Sequence, residues 1–153
     1  MRLFTDRDLG VRFGRALIEL GRDVQLHSDR YPNRGDVPDE VWIPEVTSDG
    51  YVILTHDARI RTRPTERSVF EGASARVFVF ATKSPTPFVH MRAIMIAWER
   101  IEDEVATMPA PFMFGIDGDG VMNQYVPVNP NARPSSGIHR DRRRAGRQSR
   151  ADF

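Results

Sequence analysis

Residues 51–57 read Tyr-Val-Ile-Leu-Thr-His-Asp and carry the strongest strand signal in the chain. Four consecutive apolar or aromatic residues, introduced by Asp49-Gly50 and closed by polar ones, form the kind of run that is buried on both faces in the middle of a parallel sheet. Open α/β sheets bind their ligands outside the carboxyl ends of the strands, so Asp57 stands where chemistry is expected. The question is which other residues converge on it.

The flanking segments fit the same architecture. Residues 2–5, Arg-Leu-Phe-Thr, predict a short strand that runs into Asp6. Leu9, Phe13, Leu17 and Leu20 recur at helical spacing and predict a helix over residues 8–20, with Gly21 as its stop. A second strand is expected over residues 23–27, which makes a strand-helix-strand unit of the parallel type. Residues 28–37 read as a polar loop. A helix is then expected to open at Pro38-Asp39-Glu40, with Val41, Trp42 and Val46 toward the sheet and Pro44 distorting or shortening it. Beyond Asp57 comes an arginine-rich loop, then a helix over residues 65–73, a strand over 76–81 and a longer helix from a Thr86 cap to about residue 105. Its apolar stripe of Met91, Ile94, Met95, Trp98 and Ile101 reads as core. Residues 112–116 and 121–126 flank Asp-Gly-Asp-Gly and predict a hairpin.

The expected fold is therefore α/β with a mostly parallel central sheet, in one domain over residues 1–126. A Pro- and Arg-rich tail over residues 127–153 reads as disordered. Charge divides the same way: 15 basic against 19 acidic side chains in residues 1–131, and 7 against 2 in residues 132–153. The tail's arginines suit nucleic acid, an acidic partner or plain solvation. With no cysteine there are no disulfides or thiolate metal sites. No apolar run reaches membrane-spanning length and no signal peptide opens the chain, so a soluble cytoplasmic protein is expected.

The acids carry the functional reading. Asp6 and Asp57 follow strands expected to be parallel neighbours, and Asp39 and Glu40 head the helix leading into the second of them. Carboxylates gathered at one sheet edge repel one another unless a cation neutralises them. Oxygen-only ligands, with His27, His56, His90 and His139 showing no metal spacing, point to Mg²⁺ or Mn²⁺. The chemistry suited to such a site is metal-assisted attack of water on a phosphate ester. Each acid also has a plainer reading, with Asp6 capping the first helix, Asp36 or Asp39 the second, and Asp57 as the start of a turn.

The ordered set Leu3-Phe4-Thr5-Asp6, Pro38-Asp39-Glu40-Val41-Trp42-Ile43-Pro44 and Val52-Ile53-Leu54-Thr55-His56-Asp57 resembles the PIN-like domains of VapC-type toxins, in the subgroup with an Asp-Glu-x-Trp-Ile helix. The stretch from Asp57 to Glu66 is similar to that subgroup's acid-then-arginine loop. The resemblance implies a three-layer α/β/α domain and a Mg²⁺- or Mn²⁺-dependent ribonuclease, often paired with a small antitoxin protein and often a homodimer. It makes Asp6, Asp39 and Asp57 metal-binding acids and Thr55 a residue that orients the site. Glu40, Glu66 and Asp8 are possible additions, with Asp8 at most behind the ligands and Glu66 a ligand or a partner for Arg59 or Arg61. Arg59, Arg61 and Arg63 are then candidates to hold substrate phosphates.

Two other classes place aspartates at strand ends. A haloacid-dehalogenase-like phosphatase is suggested by Asp6-Arg-Asp8, Thr55, Lys83 and Gly118-Asp119-Gly120, but Leu9-Gly10 follows the second acid where a small residue and Thr are expected. A phosphoryl receiver would need its lysine much farther from Asp57 than Lys83. A PIN fold with an incomplete site, acting as a binding module, is the third alternative.

Overall fold

The computed structural model describes residues 1–33, 37–83 and 85–126, with Arg61 and Val126 as backbone only. The tail expected over residues 127–153 lies outside them. Six strands form one sheet in the order β2-β1-β3-β4-β5-β6: β1 Arg2–Thr5, β2 Val24–Leu26, β3 Tyr51–Thr55, β4 Arg76–Phe80, β5 Phe112–Ile116 and β6 Met122–Val126. The first five are parallel, and β6 returns antiparallel to β5 as the hairpin partner. β3 lies at the interior of this sheet and all five of its residues are buried, as its unbroken apolar run requires.

Alternation along the strands divides the core into two layers. On one face Leu3, Val52, Leu54, Phe78, Phe80, Phe112 and Phe114 pack against α1 (Gly10–Glu19) and α6 (Pro87–Thr107). On the other, Phe4, Ile53, Val77, Val79 and Met113 pack with Trp42, Ile43 and Val46 of α3 (Asp39–Ser48) and Phe70 of α5 (Pro64–Gly72). The result is the three-layer α/β/α arrangement.

Local signals explain where the elements stop. Gly21 follows α1 with φ of 76°, a left-handed value that costs glycine little, and the Arg22 N–H closes the helix end on the Leu17 carbonyl at 3.0 Å. Thr86 caps α6 by accepting the Val89 N–H on its hydroxyl. Within α1, a Cβ at Gly14 would come to 2.9 Å from both Leu26 Cγ and Thr5 Oγ1, so the absent side chain lets the helix lie close against β1 and β2.

Several expectations need correction. Asp8 lies in a separate 3-10 turn, Arg7–Leu9, ahead of α1. His27 is not the end of β2 but opens a short helix, α2 (His27–Arg30), inside the segment read as loop. Pro44 sits within α3 without shortening it; the carbonyl it leaves without a helical donor belongs to Glu40, which is exposed to solvent. Val41 turns outward, and Ile43 takes the buried place. The arginine loop contains a helical turn, α4 (Arg59–Thr62), before Pro64 opens α5. Met95 is 62% exposed and leaves the α6 stripe, whereas Ala93 and Ala97 are buried.

Candidate active site

β1 and β3 are parallel neighbours with Thr5 opposite Leu54, so the residues following both strands emerge at one edge. The Asp6 N–H continues the ladder to the Leu54 carbonyl at 2.9 Å, and this fixes Asp6 beside Thr55. Thr55 is buried and its hydroxyl ties three aspartates together. Oγ1 accepts the Asp57 N–H at 3.0 Å and lies 2.9 Å from Asp6 Oδ2 and 3.2 Å from Asp8 Oδ2. With a single proton to donate, the hydroxyl serves one of those two carboxylates at a time. Asp8 Oδ2 also accepts the His56 N–H at 2.9 Å, which holds it in the site and not on the helix surface.

The remaining acids approach from the opposite layer. Asp39 opens α3, and its Oδ1 accepts the indole N–H of Trp42 at 2.9 Å, one turn along the same helix. Glu66 lies in the first turn of α5 and accepts from Arg63 on Oε1 at 2.9 Å, while its Oε2 is buried without a partner. Asp6, Asp8, Asp39, Asp57 and Glu66, with Arg7, Arg59 and Arg63, line one cleft of about 400 Å³. Glu40 is exposed and is not among the residues lining it. Arg61 belongs to α4, and its side chain is outside the described atoms.

Charge is poorly balanced inside this cleft. Burial, reinforced by the charge of Asp8 and then of Asp39, raises Asp6 from an ordinary 3.8 to about 7 despite its hydrogen bonds from Thr55 and Arg7. Asp8 is raised as well, by burial first and by the charge of Asp57, against the His56 and Thr55 hydrogen bonds. Asp39 is raised by burial and then by Glu66, Asp57 and Glu40, with the Trp42 hydrogen bond opposing. Asp57 goes the other way, because the guanidinium of Arg59 bonds to its carboxylate.

The donor set suits a hard divalent cation: carboxylate oxygens share one cleft, and their mutual repulsion is what bound positive charge would relieve. Asp6, Asp39 and Asp57, the three acids expected to act together, all face that cleft. Among the described residues, however, no three His, Asp or Glu side chains stand close enough to enclose a metal ion as they are placed. Two of the plainer readings hold at the same time, because Asp6 accepts the Arg7 N–H as a cap and Asp57 Oδ1 accepts the Arg59 N–H in a turn. Asp39 is not a cap, since Pro38 holds that position and Asp39 is already helical, and Asp36 lies outside the described residues.

A family model described as a PIN like domain matches residues 1–82. The chain belongs to the PIN-like domain family. The matched span runs from β1 through β4 and contains every cleft acid named above. PIN-like domains are commonly nucleases, which are hydrolases, and the chain has that nuclease-type fold. Neither a curated protein nor a solved structure matches the chain. In this PIN-like domain the Asp117-Gly-Asp119 segment is a turn, in which Asp117 Oδ1 accepts the N–H groups of Asp119 and Val121, both at 2.9 Å.

Sequence reasoning passed over Arg7, His27 and Trp42, all of which line the cleft. Trp42 was legible in principle, since it lies three positions after Asp39 on one helix face. His27 was not: its ring is buried and packs against Tyr31 four positions on and, through contacts that only tertiary structure makes, against Phe4 and Trp42.

The Thr55 hydroxyl gives a direct test of how the PIN-like site is held together. Thr55→Val keeps the side-chain volume but removes the acceptor for the Asp57 N–H and the donor to Asp6 and Asp8. It is expected to cost about 1–3 kcal/mol of stability and to speed hydrogen exchange at the Asp57 amide. Unchanged exchange there would show that the hydroxyl does not organise the site.

Proposed function

We propose that the protein is a Mg²⁺- or Mn²⁺-dependent endoribonuclease that hydrolyses RNA phosphodiester bonds, and that it is the toxin of a toxin-antitoxin pair acting in the cytoplasm. The observation that carries this reading is the acid cleft of a PIN-like domain, in which burial and neighbouring carboxylates push Asp6 to about 7. Asp6, Asp39 and Asp57 are the proposed metal ligands, with Asp8 and Glu66 adjoining them and Glu40 behind Asp39. A bound divalent cation supplies Lewis-acid stabilisation of the attacked phosphate and a more acidic water.

The chain's own residues position and balance that charge. Thr55 orients Asp6, and Trp42 orients Asp39. Arg59 and Arg63 put guanidinium groups on acids of the cleft, which Arg7 also lines, and in this proposal Arg59, Arg61 and Arg63 hold the phosphates flanking the scissile bond. The expected products are a 5′ phosphate and a 3′ hydroxyl. A small antitoxin protein and a second copy of the chain are the proposed protein partners.

Purified protein incubated with single-stranded and structured RNA is expected to cleave it with Mn²⁺ or Mg²⁺ and to stop in EDTA. A second reading, a PIN fold that binds without cutting, is favoured by the spacing of the acids and by the engagement of Asp57 with Arg59. Tight RNA or protein binding with no cleavage at any metal concentration would establish that reading instead.

A further inference from the structure

The acid at the end of the central strand already has a cation. Asp57 Oδ1 accepts the backbone N–H of Arg59 at 2.8 Å and its Nε at 2.8 Å, and Oδ2 accepts Nε at 2.9 Å and Nη2. Three N–H groups thus engage both oxygens, with the Nε–H shared between them. A carboxylate offers about four lone-pair sites, so a metal at Asp57 meets oxygens that are already occupied and competes with the guanidinium for them. The guanidinium also lies within electrostatic reach of Glu66 and Asp39, two acids of the same cleft. Glu66 is held in turn by Arg63.

The two partners differ in exposure. The Arg59 side chain is 62% exposed and that of Asp57 25%, so the arginine reaches in from solvent over an acid held in place. Exposed ion pairs of this kind are weak enough to exchange. The short turn α4 begins at Arg59 itself, so the side chain can swing without disturbing a strand.

We propose that Arg59 is an internal counter-ion of the cleft that competes with the divalent cation for Asp57 and, once displaced, turns its guanidinium to a substrate phosphate. This rests on the metal-dependent reading above. It makes metal entry and phosphate capture two halves of one exchange. A divalent ion restores the positive charge that Arg59 withdraws from Asp57, and the freed planar fork matches two phosphate oxygens.

The test is Mn²⁺ binding to the full-length protein, by calorimetry or by the electron paramagnetic resonance of free Mn²⁺. Arg59→Gln is expected to bind Mn²⁺ about threefold to tenfold more tightly than wild type, and Arg59→Lys to fall between them because an ammonium cannot form the fork. In an Asp57→Asn background, Arg59→Gln is expected to raise Mn²⁺ affinity much less, since only its weaker action on Glu66 and Asp39 is left. At saturating Mn²⁺, Arg59→Gln is expected to bind RNA more weakly, with a shallower dependence on salt. Equal or weaker Mn²⁺ affinity in Arg59→Gln would overturn the competition while leaving the metal-dependent reading intact. If neither protein binds Mn²⁺, both fall together.

Discussion

Asp57→Asn is expected to lower metal-dependent RNA cleavage roughly a thousandfold, about 4 kcal/mol of barrier, with little change in melting temperature. The amide keeps the size of the carboxylate and can still accept the Arg59 N–H through its oxygen, so the turn after β3 survives. What disappears is the negative charge at the carboxyl end of a fully buried strand. Arg59 then loses its ion pair but remains exposed to solvent, where an unpaired guanidinium is inexpensive. The measurement is kcat/KM on a short labelled RNA at saturating Mn²⁺, beside thermal melts of both proteins. Equal cleavage by wild type and variant would remove Asp57 from the reaction and trace the activity to another site or to contamination.

Asp6→Asn is expected to stabilise the metal-free protein at pH 8 and to have little effect near pH 3. Below 3.8, the ordinary value, Asp6 is protonated in both the folded and unfolded states. Between 3.8 and about 7 the folded chain holds a proton that the unfolded chain has released, so stability falls as pH rises through this window. Above about 7 the whole cost of ionising the buried carboxylate is present. At about 1.4 kcal/mol per unit the upper bound is about 4 kcal/mol, and water entering the open cleft reduces it to about 2–3 kcal/mol. Asn has no charge to bury and removes this slope. Asp8 and Asp39 are shifted the same way and keep some of it in the variant, whereas Asp57, held low by Arg59, contributes stability that is lost as the pH falls.

Melts of both proteins in EDTA from pH 3 to pH 8 make the comparison. Curves that run parallel across this range would show that Asp6 is not forced toward neutrality. Added Mn²⁺ is expected to recover most of the wild-type deficit at pH 8, because ligands that bind the folded state stabilise it by mass action. It should do much less for Asp6→Asn.

The fold was largely legible from the chain. β1, β3, β4 and β5 are built on short apolar runs, and β6 was marked by the Asp-Gly-Asp-Gly turn that precedes it. The α1 stop at Gly21 and the α6 cap at Thr86 act over a few residues, so local sequence contains the whole interaction. The boundary after β2 was misread because His27 is buried by Phe4 and Trp42, which come from other parts of the chain. Met95 was misread for a related reason: helical spacing defines a stripe, but the width of sheet beneath it decides which edge of the stripe is covered. In α3, propensity overstated the effect of Pro44, whose missing donor leaves open only the carbonyl of a residue already facing water.

The candidate site divides along the same line. That Asp6 and Asp57 share a sheet edge followed from expecting their strands to be parallel neighbours, since acids placed after such strands emerge together. The sequence also determined that the cleft holds no thiolate, because the chain has no cysteine, whereas the place of His27 in its lining came from the fold. Tertiary structure alone decided how these acids are held. One threonine hydroxyl reaches Asp6 and Asp8 across 49 and 47 positions, and α3 carries Asp39 to the same opening from the other layer. The pairing of Arg59 with Asp57 and of Arg63 with Glu66 is local by contrast, spanning two and three positions. Sequence separation sets which residues exist to be paired; strand register and the packing of two helical layers set which of them are within 3 Å, and the charge balance of the cleft depends on those distances.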